Sequence, residues 1–453
     1  MSAITTEAPQ KSRFQFTRRT LFALIFIAIG ILFFTNALRH TPETTTTLYF
    51  SAQDEAQQGA TFVFPTQAFI IIAAIYFVIA GGITLFTGGE TRKMSEVGTG
   101  DSNVGGIIGA WLRRQGNNLP LVIGGIVLIP TLLVIAAAGQ DTNMSTLIRS
   151  SFQLATPIAI GAMAGIWCER SGVANIAIEG MMLTAACFGF WVLFYVRLSV
   201  PPDQYNVALF IGVIVAVLGG GTMALLHAWL SITFRIDQII SGTVINILAV
   251  GITSFIRQEY LNSVQQGLDR LPAFSIPILK DLPLIGIIFT NGQPIFYLMF
   301  VLIIGSHIVL FYTSWGLRTR AIGEKPSAAD TLGIRVNWMR WTNVFIAGLI
   351  AGLAGAWFSI ENTGTFSEGM TRGSGFIALA AMIFGNWSPF GAFAGALLFG
   401  FAESLGTRFQ IINVPVPYQF LQMVPYVLTL IVLAGLVGKS YSPKATGIPY
   451  TKE

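Results

Sequence analysis

The chain has 453 residues, of which 53% are hydrophobic and only 10% charged, against roughly 25% charged in an ordinary soluble domain. So little charge cannot cover a water-facing surface of this size, which excludes a soluble enzyme, a disordered chain and a nucleic-acid binder as the main body. What remains is an all-α polytopic membrane protein. Loop topology accounts for the net charge of +5. Cys168 and Cys187 are the only cysteines. They are too few for a disulfide framework or a zinc site and read as small core residues.

A helix needs about 20 apolar residues to cross the hydrocarbon layer. Apolar segments lie at 21–38, 66–87, 120–138, 152–167, 174–196, 207–231, 238–256, 294–314, 341–360, 374–386, 390–405 and 421–438. The expectation is therefore about 10–12 membrane segments. The first follows Arg18-Arg19 without a small-residue cleavage site and reads as a retained span. Segments 152–167 and 374–386 are short, as expected for halves of broken or re-entrant helices, which need protein or water over their freed backbone groups. The chain divides near residue 140 into an N-terminal extension of about three spans (1–140), a bundle with Gly and Pro inside its helices (141–440) and a tail (441–453). With the N-terminus inside and the spans alternating, 18 of the 26 Lys and Arg fall in inner segments. That bias predicts a multi-pass protein with both termini cytoplasmic. Stretches 39–65, with its Thr44–Thr47 run, and 257–293, with Pro272, Pro277 and Pro283, read as long outer loops.

Charge inside a bilayer costs at least a few kcal/mol, so polar groups in apolar sequence are functional candidates. In 167–184, Glu169 and Arg170 mark a turn at the inner face, and Gly172 permits a reversal. Asn175 and Glu179, four apart, are expected to share a helix face. They read as pathway lining or as a structural pair, Glu179 meeting a neighbouring backbone or a base. In 235–246, Arg235 and Asp237 suit a surface ion pair. Ser241 and Thr243 suit bonds to their own helix, and Asn246 suits pore lining. In 361–408, Glu361, Glu368 and Arg372 lie near the outer face. Asn386-Trp387-Ser388-Pro389 breaks two apolar runs, Trp387 reading as an interface anchor or a ligand contact, and Glu403 and Arg408 follow. Gly161/Gly165, Gly348/Gly352 and Gly391/Gly395 have helix-packing spacing. No catalytic or metal constellation appears. His40, His227 and His307 are far apart, and the stretch Gly435–Ser440 fails phosphate-loop spacing because Leu433 stands where the first glycine belongs.

Residues 315–340, WGLRTRAIGEKPSAADTLGIRVNWMR, carry five bases, two acids and the grammar of a short helix. Ser327 is placed to cap, Ala328-Ala329 favour helix, Asp330 falls in the first turn and Gly333 can end it. Such an element reads either as a docking piece for a cytoplasmic partner or as a solvated linker.

The stretch GLRTRAIGEKPSAADTLGI resembles the cytoplasmic coupling segment of permease subunits of ABC importers in the branched-chain amino acid, simple sugar and nucleoside group. ERSGVANIAIEGMML and FSEGMTRGSGFIALAAMIFGNWSPFGAFAGALLFGFAESL resemble the group's nucleoside and sugar branch, over roughly 145–440; the first 140 residues depart from the pattern. The resemblance implies a pathway subunit for nucleosides, or alternatively simple sugars. Its implied partners are a cytoplasmic ATPase carrying ATP and Mg, a second and often different permease, and an extracytoplasmic substrate-binding lipoprotein, all in the plasma membrane. No cofactor is implied in this chain, nor is it an enzyme. Gly323, Glu324, Lys325, Pro326, Ala328, Ala329, Asp330, Leu332 and Gly333 fall in the implied ATPase-coupling segment. Asn175, Glu179, Asn246, Phe384 and Asn386 offer amides, a carboxylate and an aromatic face to a pathway. An ion-coupled secondary transporter using Glu179 and Glu403 and a membrane-embedded enzyme are the weaker rivals.

Overall fold

The structure is a computed structural model and describes residues 18–50, 60–86, 119–139, 141–261, 267–280, 286–411, 423 and 441–452. Apart from Met423, the apolar segment 421–438 lies outside them, as do the basic stretch 88–118 and the glycine stretch Gly435–Ser440. The contacts group into two compact units: among the described residues the first takes those up to Tyr49 and from Ala60 to Thr142, and the second takes Phe50 and those from Asn143 onward.

The first unit contains α1 (Arg18–Ala37), α2 (Thr66–Phe86) and α3 (Leu119–Ala136). Phe77 is its centre, with Phe26 and Phe33 edge-on at 5.2 and 5.5 Å between ring centroids. The stretch read as a plain loop holds strands β1 (Thr45–Phe50) and β2 (Ala60–Pro65), which with β3 (Asp141–Asn143) form a sheet of order β2-β1-β3. The threonine run explains this. β-Branched side chains suit a pleated strand, and Thr46 is locked by a 2.7 Å hydroxyl bond to Thr66.

The second unit contains α4 (Met144–Glu169), α5 (Ile178–Ser199), α6 (Tyr205–Ala228), α7 (Gln238–Tyr260), α8 (Pro277–Lys280), α9 (Gly286–Phe289), α10 (Pro294–Tyr312), α11 (Ser314–Glu324), α12 (Pro326–Thr331), α13 (Val336–Ala356), α14 (Ser374–Phe384) and α15 (Pro389–Ile411). Wider π turns prolong α6 over Trp229–Thr233 and α13 over Trp357–Thr363. Among the described residues eight helices are long and apolar enough to cross a membrane, seven of them in this unit. Helices α11 and α12 meet at Lys325 and form an elbow at one end of the bundle, called the elbow end below; α4, α10 and α14 run towards it, and α13 and α15 run away from it to the far end.

The core is built on small residues. At the crossing of α6 and α13, a Cβ on Gly348 would meet Gly220 O at 2.7 Å, and one on Gly352 would meet Ala216 O at 2.7 Å. The backbones touch, as the small-residue spacing predicts. Cys168 and Cys187 are free thiols inside this core.

One of the two short segments differs from the sequence reading. The segment 152–167 is part of an unbroken 26-residue helix. Its first two turns carry Arg149, Ser150 and Ser151, which a hydropathy reading leaves out, and Asn143 caps it by accepting from Ser145 N at 2.9 Å. By contrast α14, with 11 residues, is only about 16 Å long at 1.5 Å per residue, half the hydrocarbon thickness. It is the expected half-helix.

Candidate functional site

Between α4 and α5 the chain is unwound, and α5 begins only at Ile178, with Ala177 offering no side-chain cap. Asn175 therefore lies in this loop and not on a helix face with Glu179, which corrects the spacing argument. Bare backbone at membrane depth must be bonded internally, and four neighbours do so. Arg340 Nε donates to Ser171 O (3.2 Å). Gln238 Oε1 accepts from Ala174 N (2.6 Å). His227 Nε2 donates to Ala174 O (3.0 Å) while its Nδ1 faces Ser241 Oγ (3.0 Å); the carbonyl accepts only, so the proton sits on Nε2 and Ser241 donates. Asn246 Nδ2 donates to Ile176 O (3.0 Å), and its Oδ1 accepts from Gly180 N (2.8 Å), capping α5 from another helix. Asn175 is fully buried, its Nδ2 on Met181 Sδ at 3.8 Å.

Helix α14 begins at the same depth and has the same problem. Its N-cap is Gly373 at φ 79°, with no side chain to offer. Glu179 supplies the acceptors: Oε1 takes Thr371 Oγ1 (2.7 Å) and Gly373 N (2.8 Å), and Oε2 takes Gly375 N (2.6 Å). A carboxylate at a helix N-terminus meets both the unpaired N–H groups and the positive end of the dipole.

At the other end of α14, Asn386 and Trp387 both have positive φ (52° and 53°). The Arg170 guanidinium donates to Trp387 O (3.1 and 3.0 Å) and Asn386 O (3.4 Å). Glu169 Oε2 accepts from Trp387 Nε1 (2.7 Å). Trp387 is thus buried and tied to Glu169. Phe384 stacks on Phe399 at 5.7 Å. The Arg170 guanidinium is a cation at physiological pH. The turn Glu169-Arg170 read from sequence is present, and it holds both the α4 end and the break in the half-helix.

The far end carries open space. A cavity of about 240 Å³ is lined by Trp357, Phe358, Asn362, Thr371, Arg372 and Glu403, among others. A neighbouring one of about 400 Å³ shares Leu154, Trp357, Asn362 and Thr407 and adds Gln153 and Arg408. The Trp357–Thr363 π turn forms one wall of both. Within it Glu361 is fully buried, and its carboxylate accepts from Ile295 N (2.6 Å) and Phe296 N (3.1 Å) and so caps α10. Trp357, Asn362 and Gln153 were not singled out from sequence. A W-x4-N spacing inside a helical run gives no hint of a π turn, though such turns concentrate at functional sites.

The elbow is a helix–turn–helix. Thr313 Oγ1 caps α11 by accepting from Gly316 N (3.3 Å). Helix α12 starts after Lys325 with Pro326 at its first position, the place where a missing N–H costs nothing. Ser327 therefore lies inside the helix rather than capping it, and Asp330 is near its end rather than in its first turn. Gly333 does end it, at φ 80°. Glu324, Lys325, Ala328, Leu332 and Gly333 are exposed, Leu332 at 81%; Pro326 and Asp330 are half-buried, and Gly323 and Ala329 are buried. Asp237 does not fit the ion-pair reading: it caps α7, accepting from Ile239 N (2.8 Å) and Ile240 N (3.1 Å).

Span-length helices, a half-helix and irregular backbone bonded at membrane depth are the architecture of a multi-pass membrane transport protein. The chain belongs to the family of permease components of branched-chain amino acid transport systems, whose model matches residues 146–433, and the resemblance read in the three sequence blocks is borne out. The guanosine ABC transporter permease protein NupQ of Bacillus subtilis is 38% identical over 318 residues, covering 68% of this chain and 97% of its own. The nucleoside ABC transporter permease protein NupC of Lactococcus lactis is 37% identical over 314 residues, covering 68% and 98%. The putative glucose ABC transporter permease protein TsgC13 of Haloferax volcanii is 31% identical over 318 residues, covering 65% and 93%. No solved structure matches.

Proposed function

We propose that the chain is the membrane subunit of an ABC importer for nucleosides, in the plasma membrane with both termini cytoplasmic. The observation that carries this reading is the near-complete coverage of two nucleoside permeases at 38% and 37% identity, against 31% for the glucose relative. A cytoplasmic ATPase, holding ATP and Mg, seats on the elbow residues Glu324, Lys325, Ala328 and Leu332. A second, non-identical permease completes the passage, and a substrate-binding lipoprotein delivers solute at the far end. The far-end cavity suits a nucleoside: Trp357 and Phe358 offer aromatic surface to a base, and Asn362, Gln153 and Thr371 offer hydrogen bonds to base edges and sugar hydroxyls. Asn175, Glu179, Asn246, Phe384 and Asn386 frame the lower passage, where Asn246 bonds the start of α5 and Glu179 the start of α14.

The test is uptake by the four-part complex in proteoliposomes, with labelled guanosine, cytidine and glucose. Nucleoside uptake is expected to require ATP inside, to survive a protonophore and to be indifferent to glucose. Base–aromatic stacking is worth about 1–3 kcal/mol, so Trp357→Ala is expected to raise KM about tenfold while the ATPase still co-purifies. Saturable glucose uptake, or uptake driven by a proton gradient without ATP, defeats the reading.

A further inference from the structure

Residues 441–452 bond across the elbow end of the second unit. They form turns and extended backbone and touch five elements. Tyr441 N donates to Asn386 Oδ1 (2.9 Å) at the break between α14 and α15. Ala445 N donates to Gly323 O (2.8 Å) where α11 ends. Thr446 Oγ1 donates to Glu169 O (3.3 Å) where α4 ends. Arg340 Nη1, on α13, donates to Ile448 O (3.1 Å). Lys452 Nζ lies 3.6 Å from Asp330 Oδ1 on α12. Tyr450 packs on a small apolar cluster of Ile322, Ala329, Val336 and Met339, drawn from both elbow helices and α13.

The fit at the centre is close. Ala445 is 5% exposed. A Cβ on Gly172, in the unwound loop, would meet Arg340 Nη2 at 2.8 Å and Ala445 O at 3.4 Å. The Lys452–Asp330 pair, with the lysine largely exposed, adds little. The backbone bonds and Tyr450 hold the segment. A segment bonded to only one element would follow that element passively. One bonded to the elbow, the α4 end, the Arg340 that holds the unwound loop and the half-helix break resists any displacement of the elbow relative to the others.

We infer that residues 441–452 are a transmission strap. They tie the elbow to the Asn386–Ser388 break and to Arg340, so that displacement of the elbow is passed to the half-helix and the unwound loop that frame the passage. This rests on the elbow being the ATPase seat, and the experiment separates the two ideas.

The complex is assembled with a permease ending at Ser440 and, separately, with full-length Gly447→Val. Gly447 has φ +83° with open space around it, so valine strains the strap without a clash. Co-purified ATPase, ATP hydrolysis with and without solute-loaded binding protein, and uptake are measured. The ATPase is expected to stay bound and to hydrolyse ATP, but stimulation by loaded binding protein is lost. Uptake falls about tenfold in the truncated chain and less in Gly447→Val. A synthetic peptide of residues 441–453 restores part of it to the truncated chain. Wild-type uptake in both variants overturns the strap. So does loss of the ATPase from the truncated chain, which would make the segment part of the docking seat. Should the truncated chain fail to fold, Gly447→Val decides alone, unchanged coupling counting against the strap. If the elbow is not the seat, the result is different in kind: Leu332→Lys then leaves the ATPase bound.

Discussion

Glu179 spends both carboxylate oxygens on three donors at the start of α14. Its charge is tolerated at membrane depth because those donors and the helix dipole surround it. Glu179→Gln keeps the shape but turns an amide N–H2 towards one of the donors. A buried donor left unmet costs about 1–3 kcal/mol, so thermal unfolding in detergent is expected to drop by several degrees while the KM of the remaining uptake is unchanged. An unchanged unfolding temperature with an altered KM would instead make Glu179 a solute contact. Sequence reading marked Glu179, Asn175 and Asn246 because polar groups in apolar runs are costly, and each of them is bonded or buried in the frame. What it could not supply was the partners. Thr371 and Gly375 lie 192 and 196 residues from Glu179, and His227 and Gln238 carry no local sign that they hold Ala174.

At the scale of elements, the half-helix α14 was legible because its brevity and the Asn-Trp-Ser-Pro break are both local signals. The Trp357–Thr363 π turn was not, since the bond its Glu361 makes to the start of α10 is 66 residues away in sequence. The start of α5 was misplaced because an unwound stretch of small apolar residues has the hydropathy of a span. The two mid-membrane helix starts meet at Gly375, where a Cβ would stand 2.5 Å from Glu179 N and 2.6 Å from Glu179 Cα. Both are backbone atoms that cannot swing aside. Gly375→Ala is therefore expected to part the two starts and sharply reduce the folded, monodisperse fraction on size-exclusion chromatography. Gly251→Ala on α7, where nothing lies within 4 Å, is the control. It should fold as well as the parent, because alanine favours helix by about 1 kcal/mol over glycine. Equal yields from the two variants would show that the starts are not in contact.

For the whole molecule, the chain enters the second unit at Asn143, which caps α4 by accepting from Ser145 N. The family match begins at residue 146, and two relatives align over 97% and 98% of their own length with 68% of this chain. Family members therefore carry out their function on the part represented by α4 onward. The first unit has a core of its own around Phe77 and a sheet that no span requires, and its helices precede the family match. A chain begun at residue 141 is accordingly expected to insert, to bind its ATPase and to take up nucleoside at a rate comparable to the full chain in proteoliposomes. Lost uptake with the ATPase still bound would place the first unit in the transport cycle itself. Lost ATPase binding would show that the second unit does not fold alone, in which case the Asn143 cap is insufficient to start α4 in a membrane.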